Sequence, residues 1–263
     1  MDTAARFCWT ELGTTDTEKA AKFYARVFGW ERMPPQLYSR GGNPVDYTLL
    51  CLGGRIVGGL HPLSGAQRKQ GARPRWLSYV CVGDAASASS RARELGATVL
   101  VSPLDVLDLG RLSILRDPAG ALFGTWQSIG LERAFQAQDQ IGCASWFEHV
   151  SDDVPRAARF YGALFGWSQR SSAEEDGGRI LLEHDGALIA GLRSSVQASG
   201  KLPPQWLTFF QTEDCEASCQ RVVTQHGSVI SGPLDSTRSA RPAVVNDPQG
   251  AAFGLLTPAD RLS

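Results

Sequence analysis

Two glutamates stand in matching places. Glu11 follows Trp9 by two residues, and Glu148 follows Trp146 by two. On a strand, residues two apart point to one face, so each carboxylate shares a face with an indole. A carboxylate in that setting could serve as a general base, a contact for a cation or a lone ligand; it could equally be an internally bonded acid that fixes its strand, since buried acids are normally paired. An acid and a base also recur together, Asp105 with Arg111 and Asp235 with Arg241, ahead of the last strand of each half. Such pairs close loops in many proteins; their functional reading is as cleft-edge residues that recognise a polar ligand. Trp76 and Trp206, each two residues after a proline, open a further strand. With Trp9 and Trp146 they could wall an aromatic pocket for a flat or apolar ligand, with core packing as the other reading.

Other chemistry is thinly supplied. His61, His149, His184 and His226 are scattered, and none has a counterpart in the other half. His149 adjoins Glu148, so the two face opposite sides of a strand and cannot jointly grip one ion. The six cysteines sit mostly in apolar runs, where a reduced thiol behaves as a small hydrophobe. Cys215 and Cys219 are spaced to share a helix face, but two thiols do not make a zinc site. Dinucleotide-binding and phosphate loops, a nucleophile elbow and a paired-histidine helix are all missing. With 263 residues, 43% hydrophobic, 20% charged and a net charge of -1, the chain can bury a core and carries no basic stripe suited to nucleic acid. No apolar run approaches a membrane span, and the N-terminus, Met1-Asp2-Thr3-Ala4-Ala5-Arg6, is unlike an export signal. The expectation is a cytoplasmic protein whose partner is a small molecule, not nucleic acid or membrane, with a homodimer as one possible assembly.

The elements that carry these residues are repeated. Ala20-Ala21-Lys22-Phe23-Tyr24 returns as Ala157-Ala158-Arg159-Phe160-Tyr161, and Phe28-Gly29-Trp30 as Phe165-Gly166-Trp167. Further along, Gly59-Leu60 returns as Gly191-Leu192 and Pro103-Leu104-Asp105 as Pro233-Leu234-Asp235. The closing Asp117-Pro118-Ala119-Gly120 returns as Asp247-Pro248-Gln249-Gly250. Asp16 suits a helix N-cap, the spacing of Ala20, Phe23, Tyr24 and Val27 is helical, and Gly29 ends the run. Strands are predicted at 47–52 and 56–60, then at 76–82, 99–101, 112–115 and 121–127, with a second helix over 85–95. Each half thus reads as strand, helix and three strands, twice over. The expected division is a first domain at 1–130, a linker at 131–140 and a second domain at 141–263.

With these residues on that plan, the chain resembles the vicinal-oxygen-chelate superfamily of glyoxalases, bleomycin-resistance proteins and extradiol dioxygenases, in its tandem bacterial form. The carrying segments are Trp-x-Glu, Ala-Ala-x-Phe-Tyr-x-x-x-Phe-Gly-Trp and Asp-Pro-x-Gly-Ala-x-Phe-Gly. The resemblance implies an α+β fold in which four βαβββ modules form two half-open eight-stranded barrels, each with a concave cleft. It also implies a divalent metal, held by His, Glu or Gln on the first and last strands of a module. Carried over, those positions are Trp9, Gly59 and Gly124, and Trp146, Gly191 and Gly254, none of which offers a ligand. No metal and no cofactor is therefore expected. The expected ligand-binding residues are Trp9, Glu11, Trp76, Asp105 and Arg111 in the first half, and Trp146, Glu148, Trp206, Asp235 and Arg241 in the second. Two functions stay open: metal-free binding or sequestration of a small, partly aromatic molecule, or a glyoxalase- or dioxygenase-type enzyme with a non-standard site on Glu11 or Glu148.

Overall fold

The computed structural model describes residues 5–34, 36–40, 43–129, 140–171, 179–195, 202–232 and 242–258. Asp235 and Arg241 lie outside these, as does nearly all of the expected linker.

The first half opens with β1 (Phe7–Thr14) and α1 (Thr17–Phe28). The Asp16 side chain accepts from the backbone N–H of Lys19 at 3.0 Å, and Gly29 closes the helix in the left-handed region at φ 75°. Ala20, Ala21, Phe23, Tyr24 and Val27 form its buried stripe. Then come β2 (Glu31–Arg32), β3 (Gln36–Arg40), β4 (Asn43–Leu52), β5 (Arg55–Pro62) and the short α2 (Gly65–Lys69). The second module supplies β6 (Arg75–Cys81), α3 (Ala85–Glu94), β7 (Thr98–Val106), β8 (Gly110–Arg116) and β9 (Leu122–Ser128).

The second half repeats this with β10 (Ala144–Ser151), α4 (Val154–Phe165), β11 (Ser168–Ser171), β12 (Ile180–His184) and β13 (Ala187–Ser194). After these follow β14 (Gln205–Gln211), α5 (Cys215–Thr224), β15 (Ser228–Ser231), β16 (Ala243–Asn246) and β17 (Ala252–Leu256).

The expected eight strands and two helices per half need a correction in the first. Its opening hairpin is divided into β2 and β3 just where Pro34 offers no N–H to a ladder. Residues Ser64 to Gln67 also form a capping box that starts α2: Gln67 N–H donates to Ser64 Oγ and Ser64 N–H to Gln67 Oε1.

In each sheet the first strand of a module runs parallel to its last, β1 beside β5 and β10 beside β13. The modules join through their first strands, antiparallel, β1 with β6 and β10 with β14. The result is two α+β halves built on one plan, each a half-open barrel, except that in the first a single β3–β7 pair, Arg40 opposite Val106, bridges the opening. The helices lie on the convex sides, and the convex sides pack on each other. One large core takes Tyr24, Trp30 and Trp76 from the first half and Tyr161, Trp167, Phe210 and Phe253 from the second. Thr208 joins the sheets at their centre, 2.9 Å from Ser78 Oγ and 3.2 Å from Thr10 Oγ1.

The halves also interlock through polar groups. Trp30 Nε1 donates to the Gly142 carbonyl and Trp167 Nε1 to that of Ala5. Tyr24 reaches Asp247 at 3.3 Å and Tyr161 reaches Asp117 at 2.8 Å. A buried group left without a partner is costly, so these crossings hold the halves in register. The six cysteines are buried thiols that form no disulfide. Among the described residues, no helix is long and apolar enough to cross a membrane.

Candidate functional site

Back-to-back packing turns the two concave faces away from each other. On β1, Phe7, Thr10 and Leu12 face the core, while Trp9 and Glu11 face the concavity. Glu11 lies opposite Gly59 on one flank and Leu77 on the other. Its carboxylate is 1% exposed, so its hydrogen bonds must come from side chains that reach across the sheet. Tyr79 Oη donates to Oε1 at 2.7 Å, and Tyr47 Oη to Oε2 at 2.9 Å. Trp9 Nε1 donates to Tyr47 Oη at 3.0 Å, and His61 Nε2 stands 3.6 Å from Glu11 Oε1. The His61 ring stacks on Tyr47 at 10° between planes. The rest of the concavity is apolar: Leu77, Leu112, Val106, Leu104 and Trp126 pack with Trp9 and Tyr79.

Glycines make room for these rings. A Cβ on Gly59 would fall well within 3.0 Å of Tyr47, and one on Gly124 would collide with the ring of Tyr79. In the second half Gly254 yields the same space to Phe209. The two strand positions where the resemblance puts a metal ligand thus give their volume to aromatic side chains. Among the described residues, no three His, Cys, Asp or Glu side chains gather where they could hold a metal ion.

The second cleft keeps the carboxylate and changes everything around it. Glu148 is 1% exposed and lies opposite Gly191 and Leu207. Strand registers pair Thr48 with Leu60 and Ile180 with Leu192. Tyr47 is therefore replaced by Arg179 and His61 by Arg193, while Tyr79 becomes Phe209. Arg193 Nε donates to Glu148 Oε1 at 2.7 Å, and Arg179 Nε lies 2.9 Å from the same oxygen. Burial pushes the Glu148 carboxyl up, with the charge and hydrogen bond of Arg193 opposing.

Other expected site residues go elsewhere. Trp76 and Trp206 do not line the clefts. Trp76 sits opposite Leu12, and residues directly opposite share a face. It points to the helices, 3% exposed, and donates from Nε1 to Tyr24 Oη at 2.9 Å. Trp206 does the same with Tyr161 at 2.7 Å. Trp126, two residues beyond Gly124 on β9, takes the wall position expected of Trp76; strand alternation from Gly124 would have found it. Asp105 and Arg111 are also corrected. They face each other across the β7–β8 hairpin, 2.8 Å apart and exposed, between the inward Leu104, Val106 and Leu112. Their bond holds Asp105 below its usual range and Arg111 above its own, and it closes the hairpin instead of facing a cleft. His149 is buried on the core side with Nε2 2.8 Å from Asp117 Oδ2. His61, left aside in the sequence because nothing matches it in the other half, is brought to Glu11 by the parallel β1–β5 register.

Residues 145–255 match the family model described as the Glyoxalase/Bleomycin resistance protein/Dioxygenase superfamily, and residues 9–125 match that of a glyoxalase-like domain. The chain is 32% identical over 258 residues to the putative glyoxylase CFP32 of Mycobacterium tuberculosis, covering 95% of this chain and 94% of that one. It is 29% identical over 258 residues to the anthracycline biosynthesis protein DnrV of Streptomyces peucetius, covering 94% and 91%. Among solved structures, the Mn(II)-bound glyoxalase of Novosphingobium aromaticivorans aligns with a TM-score of 0.61 at 14% identity, over 98% of this chain and 83% of that one. A variant of homoprotocatechuate 2,3-dioxygenase from B. fuscum aligns with a TM-score of 0.63 at 16% identity, over 99% and 76%. At such identities the likeness speaks for the fold alone.

Proposed function

For a chain that belongs to the glyoxalase/bleomycin resistance protein/dioxygenase superfamily, with one such domain in each half, we propose metal-free binding of a small, flat, partly aromatic molecule in the first cleft. The observation that carries this is Glu11: a buried carboxylate on the concave face, held by two phenols and flanked by an imidazole. An apolar wall with one carboxylate at its base favours a planar ligand that presents a hydrogen-bond donor or a positive group. The name of the relative from anthracycline biosynthesis agrees with an aromatic ligand.

The residues present do not fit the divalent metal that the fold family implies. Among the described residues of the first cleft, one carboxylate and one imidazole remain, fewer than such sites use. In the second, two guanidiniums beside Glu148 repel a cation. Accordingly, no step is routed through a metal.

The test is elemental analysis of the dialysed protein, followed by a thermal-shift screen of flat aromatic phenols and amines. A hit should bind Glu11→Gln more weakly by about 1–3 kcal/mol, the scale of a lost charge-assisted hydrogen bond. The near-isosteric variant should stay folded. Stoichiometric metal that survives a weak chelator, or hits that ignore Glu11→Gln, would refute the reading.

A second reading, an enzyme, is favoured by His61 alone. An imidazole 3.6 Å from the carboxylate could relay a proton that Glu11 removes from a ligand O–H or C–H. Consumption of a hit near neutral pH that stops in Glu11→Gln and His61→Gln would move the protein into that class.

A further inference from the structure

The concave face that holds Glu11 also carries two arginines. Strand alternation puts Arg75 on the face of Leu77 and Tyr79, and Arg116 on the face of Leu112 and Ile114, which is the concave side. Arg75 starts β6 opposite Gly13, and Arg116 ends β8 opposite Leu122. Glu11 lies opposite Leu77. Arg75 is therefore its diagonal neighbour across the strand pair, a separation of about 7–8 Å that long side chains reach across. The surface between the acid and the two bases is apolar, formed by Leu77 and Leu122.

Arg75 is half-buried and Arg116 exposed. Arg75 Nε donates to the Arg73 carbonyl at 3.2 Å, which orients the guanidinium. Among the described residues neither guanidinium stands within ion-pair distance of an acid, and the Nη groups of Arg75 have no acceptor. Burial, and after it the like charge of Arg116, hold the Arg75 guanidinium below the usual arginine range. The neighbouring sequence adds bases and no acid: Pro62 to Val82 contains Arg68, Lys69, Arg73 and Arg75, with neither Asp nor Glu. The matching stretch of the second half, Ser194 to Thr212, has Lys201 as its one charged residue. Gln205 and Asn246 stand there in place of Arg75 and Arg116. The arginine pair thus belongs to the first cleft alone.

Like charges side by side on a partly dry, apolar surface repel, and unfilled guanidinium donors are costly there. An oxyanion between them removes the repulsion and fills the donors, and an oriented guanidinium suits a planar two-oxygen group. We propose that the first cleft takes an aromatic acid that also bears a donor: its oxyanion lies between Arg75 and Arg116, its ring over Leu77 and Leu122, and its hydroxyl or amine at Glu11. This rests on the reading of Glu11 as the donor contact and adds a second, oppositely charged pole to the same ligand.

Isothermal titration of the full chain at low ionic strength tests it, with 6-hydroxy-2-naphthoate, 2-naphthol and inorganic phosphate as probes. The hydroxynaphthoate is expected to bind once per chain, at least tenfold tighter than either of the others. Arg75→Gln should weaken it at least tenfold, and Arg116→Gln, at the more exposed site, at least threefold. Arg111→Gln removes a positive charge that faces away from the cleft and should leave binding unchanged, which controls for net charge. If Arg75→Gln does not fold, as read by circular dichroism, Arg116→Gln carries the test. Absence of hydroxynaphthoate binding would overturn the proposal. So would naphthol or phosphate binding as tightly, arginine variants that bind like the natural protein, or an equal loss in Arg111→Gln. Glu11→Gln separates the two readings. Hydroxynaphthoate binding lost in Glu11→Gln but kept in Arg75→Gln and Arg116→Gln sinks the oxyanion site and leaves the Glu11 reading standing. The reverse pattern sinks the Glu11 reading and leaves the oxyanion site.

Discussion

The ring seated over a strand glycine, where the family resemblance implies a metal ligand, is the feature that most separates these clefts from a metal-bearing one, and Gly124→Ala tests it directly. Gly124 lies opposite Tyr79 across the parallel β6–β9 pair. An added Cβ would come within 3.0 Å of three ring carbons of Tyr79. That ring is 1% exposed and is tied by its hydroxyl to Glu11 at 2.7 Å. Two effects oppose each other. Alanine narrows the unfolded ensemble and so stabilises by about 0.4–1 kcal/mol. Against this, overpacking costs about 1–3 kcal/mol, and driving the ring off Glu11 forfeits a hydrogen bond to a charged group, about 1.5–3 kcal/mol. The unfavourable effects win, for a net loss of about 2–5 kcal/mol by the same magnitudes. Repeating the substitution in Tyr79→Ala removes both costs, so there Gly124→Ala should be neutral or stabilising by up to about 1 kcal/mol. Urea unfolding of the four proteins, followed by circular dichroism, gives the coupling between the two sites. Equal losses from Gly124→Ala in both backgrounds would refute the claim that the ring occupies the strand position. Gly254→Ala against Phe209 is the internal comparison. With no hydroxyl to displace, it should cost about 0–2.5 kcal/mol, overpacking offset by the unfolded-state gain.

Trp76→Ala and Trp206→Ala should each destabilise by about 3–5 kcal/mol, the range for emptying a core aromatic site, while folded protein keeps its affinity for a first-cleft ligand; a selective loss of affinity would return Trp76 to the cleft. The matched carboxylates Asp117 and Asp247 should titrate with opposite signs. Burial pushes Asp117 up, but hydrogen bonds from His149, Tyr161 and the Ala121 N–H, with the His149 charge, bring it below its usual range. Its contribution to stability is present above about pH 3.9, the unfolded value, and is lost as pH falls through the lower folded value. Burial keeps Asp247 raised, since Leu12 stands where His149 does. Its contribution is present below about pH 3.9 and fades as pH rises through the folded value. Urea midpoints of Asp117→Asn and Asp247→Asn across acid pH, each against the natural protein, check the two slopes. All six cysteines are buried, so a thiol reagent should label none before global unfolding; rapid labelling of any would contradict that packing.

The repeat, the helices with their Asp caps and glycine stops, and the strand–helix–strand–strand–strand order were all legible in the sequence. These are set locally: a cap needs one short acid, a helix stripe needs a period of 3.6, and a duplicated gene writes each signal twice. Glu11 and Glu148 were found for the same reason, and alternation was enough to put Trp9 and Trp146 on their face. The side chains around the glutamates were not legible. Tyr47, His61 and Tyr79 are separated from Glu11 by 36 to 68 positions, and strand register alone brings them together. Register also sent Trp76 to the helix side, because it lies opposite Leu12 and not Glu11. Identity between the halves misled for a related reason. It showed that the carboxylate was repeated and concealed that Tyr47 and His61 had become Arg179 and Arg193. The charge of a site is a sum over neighbours in space, and only the folded sheet decides which neighbours those are.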